Sequence, residues 1–402
     1  MGFFLSLDMK FAHLADCHIG GWSELKLKQL GMDSFKKAVE ICLQERVGFV
    51  LIAGDLFNTA LPGIELVRDV AGELKKLRDE GVDVYLIPGS HDFSPSGKTM
   101  LDVLERSGLC QNVFRHENGR LQITEDKTGV KLTGILGLAA GLDRELYKQL
   151  DFSDVEKEDG YKIFLLHTMI DEFKPRGMEE IAGEKMGALP RNFQYYAAGH
   201  VHYRFETKLN DGLLVYPGPL FPNNFKELEE LKCGSFCIVE DGKMRRIFLK
   251  LKEVRSYQFD VGGKTPKEVE EEILGNVKGV EDKIVMLRLD GMLREGSLGE
   301  VDFKKLQGMM AGAYCVLKNT TGVSSREFQE LEVGEGNVED IEARIVAEHL
   351  GQLKVGFDEQ EYIHRLMNVL DDEKQEGERN YDFETRLEKN IVKALHIEGI
   401  WG

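Results

Sequence analysis

Five apolar runs of strand length in the first half of the chain, at residues 11–15, 49–53, 82–87, 162–166 and 195–198, each give way at once to a short polar cluster. The clusters are Asp16-Cys17-His18, Gly54-Asp55, Gly89-Ser90-His91-Asp92, His167-Thr168 and Gly199-His200-Val201-His202. Short apolar runs bounded by Gly, Asp or Pro and alternating with helical patterns fold as an α/β sheet. Polar residues at the carboxyl ends of such strands project into one crevice. A lone Asp-x-His is more often a turn cap than a ligand pair, so the ordered set carries the argument. Only ten histidines occur in 402 residues, and five of them fall in these clusters.

Two divalent cations roughly 3.5–4 Å apart can clamp a phosphate, polarise it and generate a hydroxide nucleophile. They need a bridging anionic oxygen, and Asp55 is the natural candidate. Mixed imidazole and carboxylate ligands leave positions open for water and substrate, and suit Mn²⁺, Fe²⁺ or Zn²⁺ better than Ca²⁺. Asp16 and His18 are two apart, as are His200 and His202. Strand periodicity aims both members of such a pair the same way and turns Cys17 away as a small core residue. A metal-dependent phosphoester hydrolase is the first expectation.

The run Ala15-Asp16-Cys17-His18-Ile19-Gly20, together with Gly54-Asp55-Leu56-Phe57-Asn58-Thr59-Ala60-Leu61-Pro62, resembles the calcineurin-like metallophosphoesterases and, among them, the SbcD-type nucleases of DNA double-strand-break repair. The resemblance is strong over residues 9–225, fair over 250–320 and faint beyond. It implies that Asp16, His18, Asp55 and His202 hold one metal, and that Asp55, residue 90, His167 and His200 hold the other. It places His91 outside direct coordination as general acid or transition-state stabiliser, with Asp92 orienting its ring. The family motif is Gly-Asn-His-Asp, whose Asn carbonyl oxygen binds the second metal; this chain has Ser90 instead. A hydroxyl is a shorter and poorer ligand, so that site is weaker, recruits a water or is degenerate; alternatively Ser90 merely caps the turn before Phe93.

With 42% hydrophobic and 30% charged residues the chain is globular and long enough for two or three domains. No apolar run approaches the ~20 residues of a membrane span. The opening Met1-Gly2-Phe3-Phe4-Leu5-Ser6 loosely fits a myristoylation or leader pattern, but Met9-Lys10-Phe11 reads as the natural start, with residues 1–8 an extension. Six cysteines without a Cys-x-x-Cys pair give neither a zinc ribbon nor a disulfide framework, and a reducing, cytoplasmic setting follows. The net charge is −18, divided as 32 Lys/Arg against 38 Asp/Glu over residues 1–250 and 20 against 32 beyond. Nucleic-acid binders usually present a basic face. Several acids of the first part are proposed ligands, whose charge bound cations would offset. Binding of DNA by this chain alone should be weak, and a partner must supply much of the grip.

The expected architecture is an α/β metallophosphoesterase β-sandwich flanked by helices over residues 9–250, a smaller α/β capping domain over 256–320, and a helical tail over 337–402. Helices are expected over 33–46 and, opening with Pro62, over 62–80; the stripe Leu66, Val70, Leu74 and Leu77 on the latter reads as core. The second unit reads as strand (257–261), helix (266–274), strand (284–289), helix (303–310) and strand (314–318), similar to the cap that closes over DNA in SbcD-type enzymes. Its Lys264, Lys267, Arg288 and Arg294 are too scattered for a basic stripe and read as solvated charges. The tail helices begin at Asn337 and at the capping-box run Asp358-Glu359-Gln360-Glu361, and a last amphipathic segment carries Leu387, Ile391, Ala394 and Leu395. Such a helix either folds on its own chain or is kept for a partner groove. The resemblance favours docking to the coiled-coil base of an SbcC-type ATPase. It also implies a homodimer, joined through helices near residues 62–80.

The sequence is thus expected to encode a nuclease requiring two divalent ions, Mn²⁺ by preference, that acts on DNA ends with a coiled-coil ATPase in the cytoplasm, at the nucleoid. The runner-up is a small-nucleotide phosphodiesterase or phosphatase on the same fold. A scaffold with a degenerate metal site is favoured only by Ser90. Residues 251–402 argue against the small-molecule enzyme, which needs neither cap nor tail.

Overall fold

The computed structural model describes residues 9–94, 99–138, 143–175, 183–325, 365, 369 and 380–394. β1 (Lys10–Leu14), β2 (Phe49–Ala53) and β3 (Asp83–Ile87) run parallel and are joined by α1 (Leu25–Gln44) and α2 (Ile64–Asp79). Their residues alternate between two cores, as a period of two requires. Phe11, Phe49, Leu51, Tyr85 and Ile87 enter the interior of a sandwich, while Ala12, Leu14, Val50, Ile52, Val84 and Leu86 pack with the apolar faces of the two helices. After α3 (Met100–Arg106), β4 (Gln111–Asn112) extends the sheet beyond β3.

A small hairpin, β5 (His116–Glu117) with β6 (Arg120–Leu121), leads into the second sheet. That sheet comprises β7 (Thr124–Glu125), β8 (Lys131–Ile135), β9 (Lys162–His167), β10 (Tyr195–Gly199), β11 (Phe205–Leu209) and β12 (Gly212–Tyr216), in spatial order 11-12-10-9-8-7. Two short helices, α4 (Asp143–Gln149) and α5 (Ser153–Lys157), lie between β8 and β9 in the chain. α6 (Phe225–Leu231) then returns the chain to the first sheet, where β13 (Gly234–Glu240) pairs antiparallel with β1 and β14 (Lys243–Leu249) forms the edge. The sheets face each other through Phe11, Phe49, Leu51, Ile163, Leu165, Tyr195, Ala197 and Val215. Phe11 stacks on Phe49 with centroids 5.1 Å apart and meets the edge of Tyr195 at 5.2 Å. Each such side chain contributes about 1.5–3 kcal/mol by leaving water. The α/β sandwich is as expected, and it delivers the carboxyl ends of β1, β2, β3, β9 and β10 to one edge.

Two helix starts differ from expectation. α1 begins at Leu25 rather than 33, because the Glu24 side chain caps it by accepting from the Lys26 amide and Gly31 is tolerated inside it. α2 begins at Ile64, so Pro62 precedes the Gly63 N-cap instead of opening the first turn. Val70, Leu74 and Leu77 are core, with Leu66 packed against them.

Beyond β14, β15 (Val254–Asp260), α7 (Pro266–Asn276), β16 (Ile284–Leu293), α8 (Phe303–Met309) and β17 (Cys315–Ser325) give the expected βαβαβ order, the sheet running β15-β16-β17. Arg288 is not a solvated charge: it pairs with Glu229 of α6, Nη2 to Oε2 at 2.6 Å. The chain divides into two compact units, one of Met1–Val261, Lys267–Asp290 and Val301–Gly322, the other of Gly262–Pro266, Gly291–Glu300 and Val323–Gly402. In the second, Asn380–Ala394 is helical and carries Leu387, Ile391 and Ala394. The expected helices at Asn337 and Asp358, with Leu395 and residues 1–8, lie outside the described residues. All six cysteines are free. Among the described residues no helix is long and apolar enough to cross a membrane.

Candidate metal centre

The polar clusters begin where the strands stop, and four of the expected ligands occupy left-handed backbone: Asp16 at φ +50°, His18 at +41°, Asp55 at +52° and His200 at +94°. This corrects the expectation that a strand period of two aims Asp16 with His18 and His200 with His202. β1 ends at Leu14 and β10 at Gly199, so tight left-handed turns make these side chains converge. Such conformations cost of order 1–3 kcal/mol each outside glycine and persist where surrounding structure holds them. Two glycines make the crowding possible. A Cβ on Gly54, itself at φ +84°, would lie 2.1 Å from His167 Nδ1, and one on Gly89 would lie 2.2 Å from Asp55 Oδ1.

Three overlapping groups each bring their ligand atoms within 4.8 Å of one another: Asp16, His18 and His202; Asp16, Asp55 and His167; and His18, Asp55 and His91. Asp55 Oδ2 is 3.4 Å from His18 Nε2 and 3.1 Å from His167 Nε2, which puts it between two histidine sets. His202 Nε2 lies 2.9 Å from His18 Nε2 and 3.8 Å from Asp16 Oδ1. His200 stands beside the second set, its ring centroid 5.2 Å from that of His167, and its amide donates to Asp16 Oδ1 at 2.9 Å. Gly89 and His91, on either side of Ser90, both abut Asp55, which places the serine next to the shared carboxylate. Cys17 faces away into the apolar core.

Asp92 does not orient the ring of His91, contrary to expectation. Its carboxylate is buried and accepts from three backbone amides, those of Leu56 and Phe57 at 3.0 Å and of Gly89 at 3.1 Å. It therefore ties the turn after β2 to the turn after β3. The His91 ring is held instead by the Asn58 carbonyl, which accepts from Nδ1 at 2.9 Å, so Nε2 is the nitrogen without the proton in a neutral ring. His91 is exposed, and its ring meets that of His18 edge-on at 4.8 Å.

Burial holds His18 down to about 3 and His200 to about 4, keeping both rings in the neutral form that ligates metals. Burial also opposes charge on His167, but Asp55 outweighs it and pushes that ring up to about 10. Burial raises the Asp16 carboxyl, with His202 and His167 pulling the other way. Two carboxylates buried together call for positive charge nearby: a protonated His167 supplies it, and a divalent cation would supply it instead while freeing Nε2 of its proton. The donor set fits such ions: Asp16 Oδ2 and His167 Nε2 are buried without a hydrogen-bond partner, although His167 Nε2 sits at ion-pair distance from Asp55. His167 Nδ1 donates to the Ala53 carbonyl at 2.8 Å, which presents Nε2 as its ligand atom.

Glu227, Asn58 and Asn223 complete the surroundings and were not anticipated. Glu227 Oε1 accepts from His202 Nδ1 at 2.9 Å, and Asn223 Nδ2 donates to Asn58 Oδ1 at 3.2 Å. The available signal was Asn224 followed three residues later by Glu227, an N-cap pattern opening α6.

Residues 9–204 match the calcineurin-like phosphoesterases, and every expected ligand falls inside that span. Three similar proteins are each named DNA double-strand break repair protein Mre11. The one from Archaeoglobus fulgidus is 25% identical over 391 residues, covering 92% of this chain and 82% of its own length. Those from Methanocaldococcus jannaschii and Methanococcus maripaludis are 27% and 28% identical over 237 and 220 residues, covering 57% and 52% of this chain. The chain spans 62% and 55% of those two relatives. Residues 9–204, which carry every expected ligand, are thus a calcineurin-like phosphoesterase domain.

Proposed function

We propose that this protein is a DNA nuclease requiring two divalent ions, Mn²⁺ by preference, and that it hydrolyses phosphodiesters at DNA ends in double-strand-break repair. The observation that carries the reading is the pairing of the Asp55-centred ligand set with similarity to an Mre11 protein over 92% of the chain. Asp16, His18, Asp55 and His202 hold one ion; Asp55, Ser90, His167 and His200 hold the other. Ions bound there would supply a nucleophilic water at neutral pH and offset charge on the phosphate. His91 acts from outside the ligand set: with Nδ1 committed to the Asn58 carbonyl, Nε2 can hold a proton for the leaving oxygen or donate a hydrogen bond to the phosphate. Asp92 positions both by tying their turns together.

The remaining assignments belong to the same proposal. Residues 9–250 form the nuclease domain, 256–320 a cap over the substrate, and 337–402 the docking region for an SbcC-type coiled-coil ATPase, a partner that the charge of −18 makes necessary for a grip on DNA. Homodimerisation is supported by exposed apolar side chains at the start of α2 and on α3, namely Leu61, Ile64 and Val103. Action in the cytoplasm at the nucleoid goes with such a role. The test compares end-labelled duplex DNA with bis-p-nitrophenyl phosphate under Mn²⁺, with and without the co-purified ATPase. Cleavage of both, with the DNA reaction stimulated by the ATPase, is expected. Hydrolysis of the small ester alone under every condition would instead support the small-nucleotide phosphodiesterase.

A further inference from the structure

The ring of His202 is held from behind by an element remote in sequence from the ligand turns. Glu227 Oε1 accepts from His202 Nδ1 at 2.9 Å, and His202 Nε2 faces His18 Nε2 at 2.9 Å and Asp16 Oδ1 at 3.8 Å. A carboxylate oxygen can only accept here, so Nδ1 must carry the proton and Nε2 becomes the ligand atom. The carboxylate is itself fixed. Its Oε2 accepts from the Asn223 amide at 2.8 Å, and Asn224 Nδ2 bonds to Oε1. The helix bearing it is anchored further along, where Leu228 is fully buried with Leu27, Leu30, Ile284 and Met286, and Glu229 pairs with Arg288 of β16.

We infer that Glu227 is the positioning residue of the ion site made by Asp16, His18 and His202, fixing the tautomer and plane of the His202 ring. This rests on the two-ion reading above. Glu227 has two tasks that experiment can separate, because its Oε2 accepts only from the Asn223 amide at the start of α6, while its Oε1, which also takes the Asn224 side chain, is the oxygen that serves His202. Loss of an oriented partner behind a ligating histidine typically weakens metal affinity about 10–100-fold. Asn224→Ala removes the helix cap, whose Oδ1 accepts from the Glu227 amide at 3.0 Å, without removing the Glu227 carboxylate.

The experiment is Mn²⁺ binding to the full chain, followed as free Mn²⁺ by electron paramagnetic resonance, with melting temperature recorded in parallel. The native protein should load two ions. Glu227→Ala should lose affinity at one of them by about 10–100-fold and keep the other. Glu227→Gln should restore affinity to within about threefold of the native protein, since its amide oxygen can accept from Nδ1. Asn224→Ala should melt earlier and weaken Mn²⁺ binding far less than Glu227→Ala, because the Glu227 carboxylate stays and its Oε2 is still held by the Asn223 amide. Native affinity at both sites in Glu227→Ala, or an equal loss in Asn224→Ala, would overturn the inference and leave Glu227 as a helix cap. Should the alanine variant be insoluble, Glu227→Asp decides the matter, because it keeps the charge and withdraws the oxygen by one methylene: weakened binding at one site supports the role, and unchanged binding overturns it. Failure of the native protein to bind Mn²⁺ would remove the two-ion reading, and the inference with it.

Discussion

The backbone amide of His91 donates to Asp55 Oδ1 at 2.9 Å, so the carboxylate placed between the two histidine sets also fixes the turn that presents the proposed acid. Removing either residue should therefore have distinct consequences. Asp55→Ala should abolish metal-dependent cleavage together with metal loading. His91→Ala should leave both ions bound, as read by calorimetry, while lowering the rate about 10²–10⁴-fold, the range for a positioned acid. Calorimetric loss of ions in the His91 variant would make that residue a ligand, a role its place within 4.8 Å of His18 and Asp55 also permits.

Asp92 is expected to matter for stability more than for proton transfer. In Asp92→Ala three backbone amides lose their acceptor, and an unsatisfied buried group costs about 1–3 kcal/mol. Chemical denaturation in the presence of a chelator should show a loss of about 2 kcal/mol or more, with Asp92→Asn milder because its carbonyl oxygen can still accept. A variant within about 0.5 kcal/mol of the native protein, the usual range for a neutral surface change, would show that the three amides find water instead.

The residues that converge were legible in the sequence because each follows an apolar run, and the run's period of two sorts Phe49 and Leu51 from Val50 and Ile52 without any structure. The means of convergence was not. Whether His18 adopts φ +41° depends on a hydrogen bond from its amide to the Asp55 carbonyl, a contact across 37 positions that no local pattern encodes. The same holds for Asp92, adjacent to His91 in sequence but bonded to Leu56 and Phe57, and for Glu227, whose spacing from Asn224 says nothing of the imidazole lying against it. Sequence proximity suggested partners, and the crossing of two turns chose different ones.

His13 makes the sandwich interior acid-sensitive. It is fully buried, 3.0 Å from the Tyr195 hydroxyl, and burial pushes its ring down to about 3 from an ordinary 6.5. A depressed histidine is neutral in the fold but protonates in the unfolded chain, so stability is intact above pH 6.5 and falls as pH drops toward 3. At pH 5 the loss is about 2 kcal/mol, at 1.36 kcal/mol per pH unit. Denaturation at pH 7 and pH 5, with and without His13→Gln, should show that the variant loses less on acidification; equal losses would place the acid sensitivity elsewhere.

Ser90 is the one proposed ligand position at which this chain departs from the Gly-Asn-His-Asp pattern. Its place is constrained, since Gly89 packs against Asp55 and the His91 amide bonds to it, so residue 90 is held beside the shared carboxylate whatever its side chain. A serine hydroxyl is shorter than an asparagine amide and a weaker donor of electron density to a cation. On the proposed assignment, the ion that Asp55, His167 and His200 would hold should consequently be the looser of the two. Ser90→Asn should lower the Mn²⁺ concentration for half-maximal cleavage by about tenfold or more, since even the partners behind metal ligands change affinity about 10–100-fold. The melting temperature in chelator should stay near that of the native chain, because Ser90 is only half-buried. An Mn²⁺ requirement unchanged or raised in the asparagine variant would mean that the pocket has adapted to serine, with a water completing the second ion's shell.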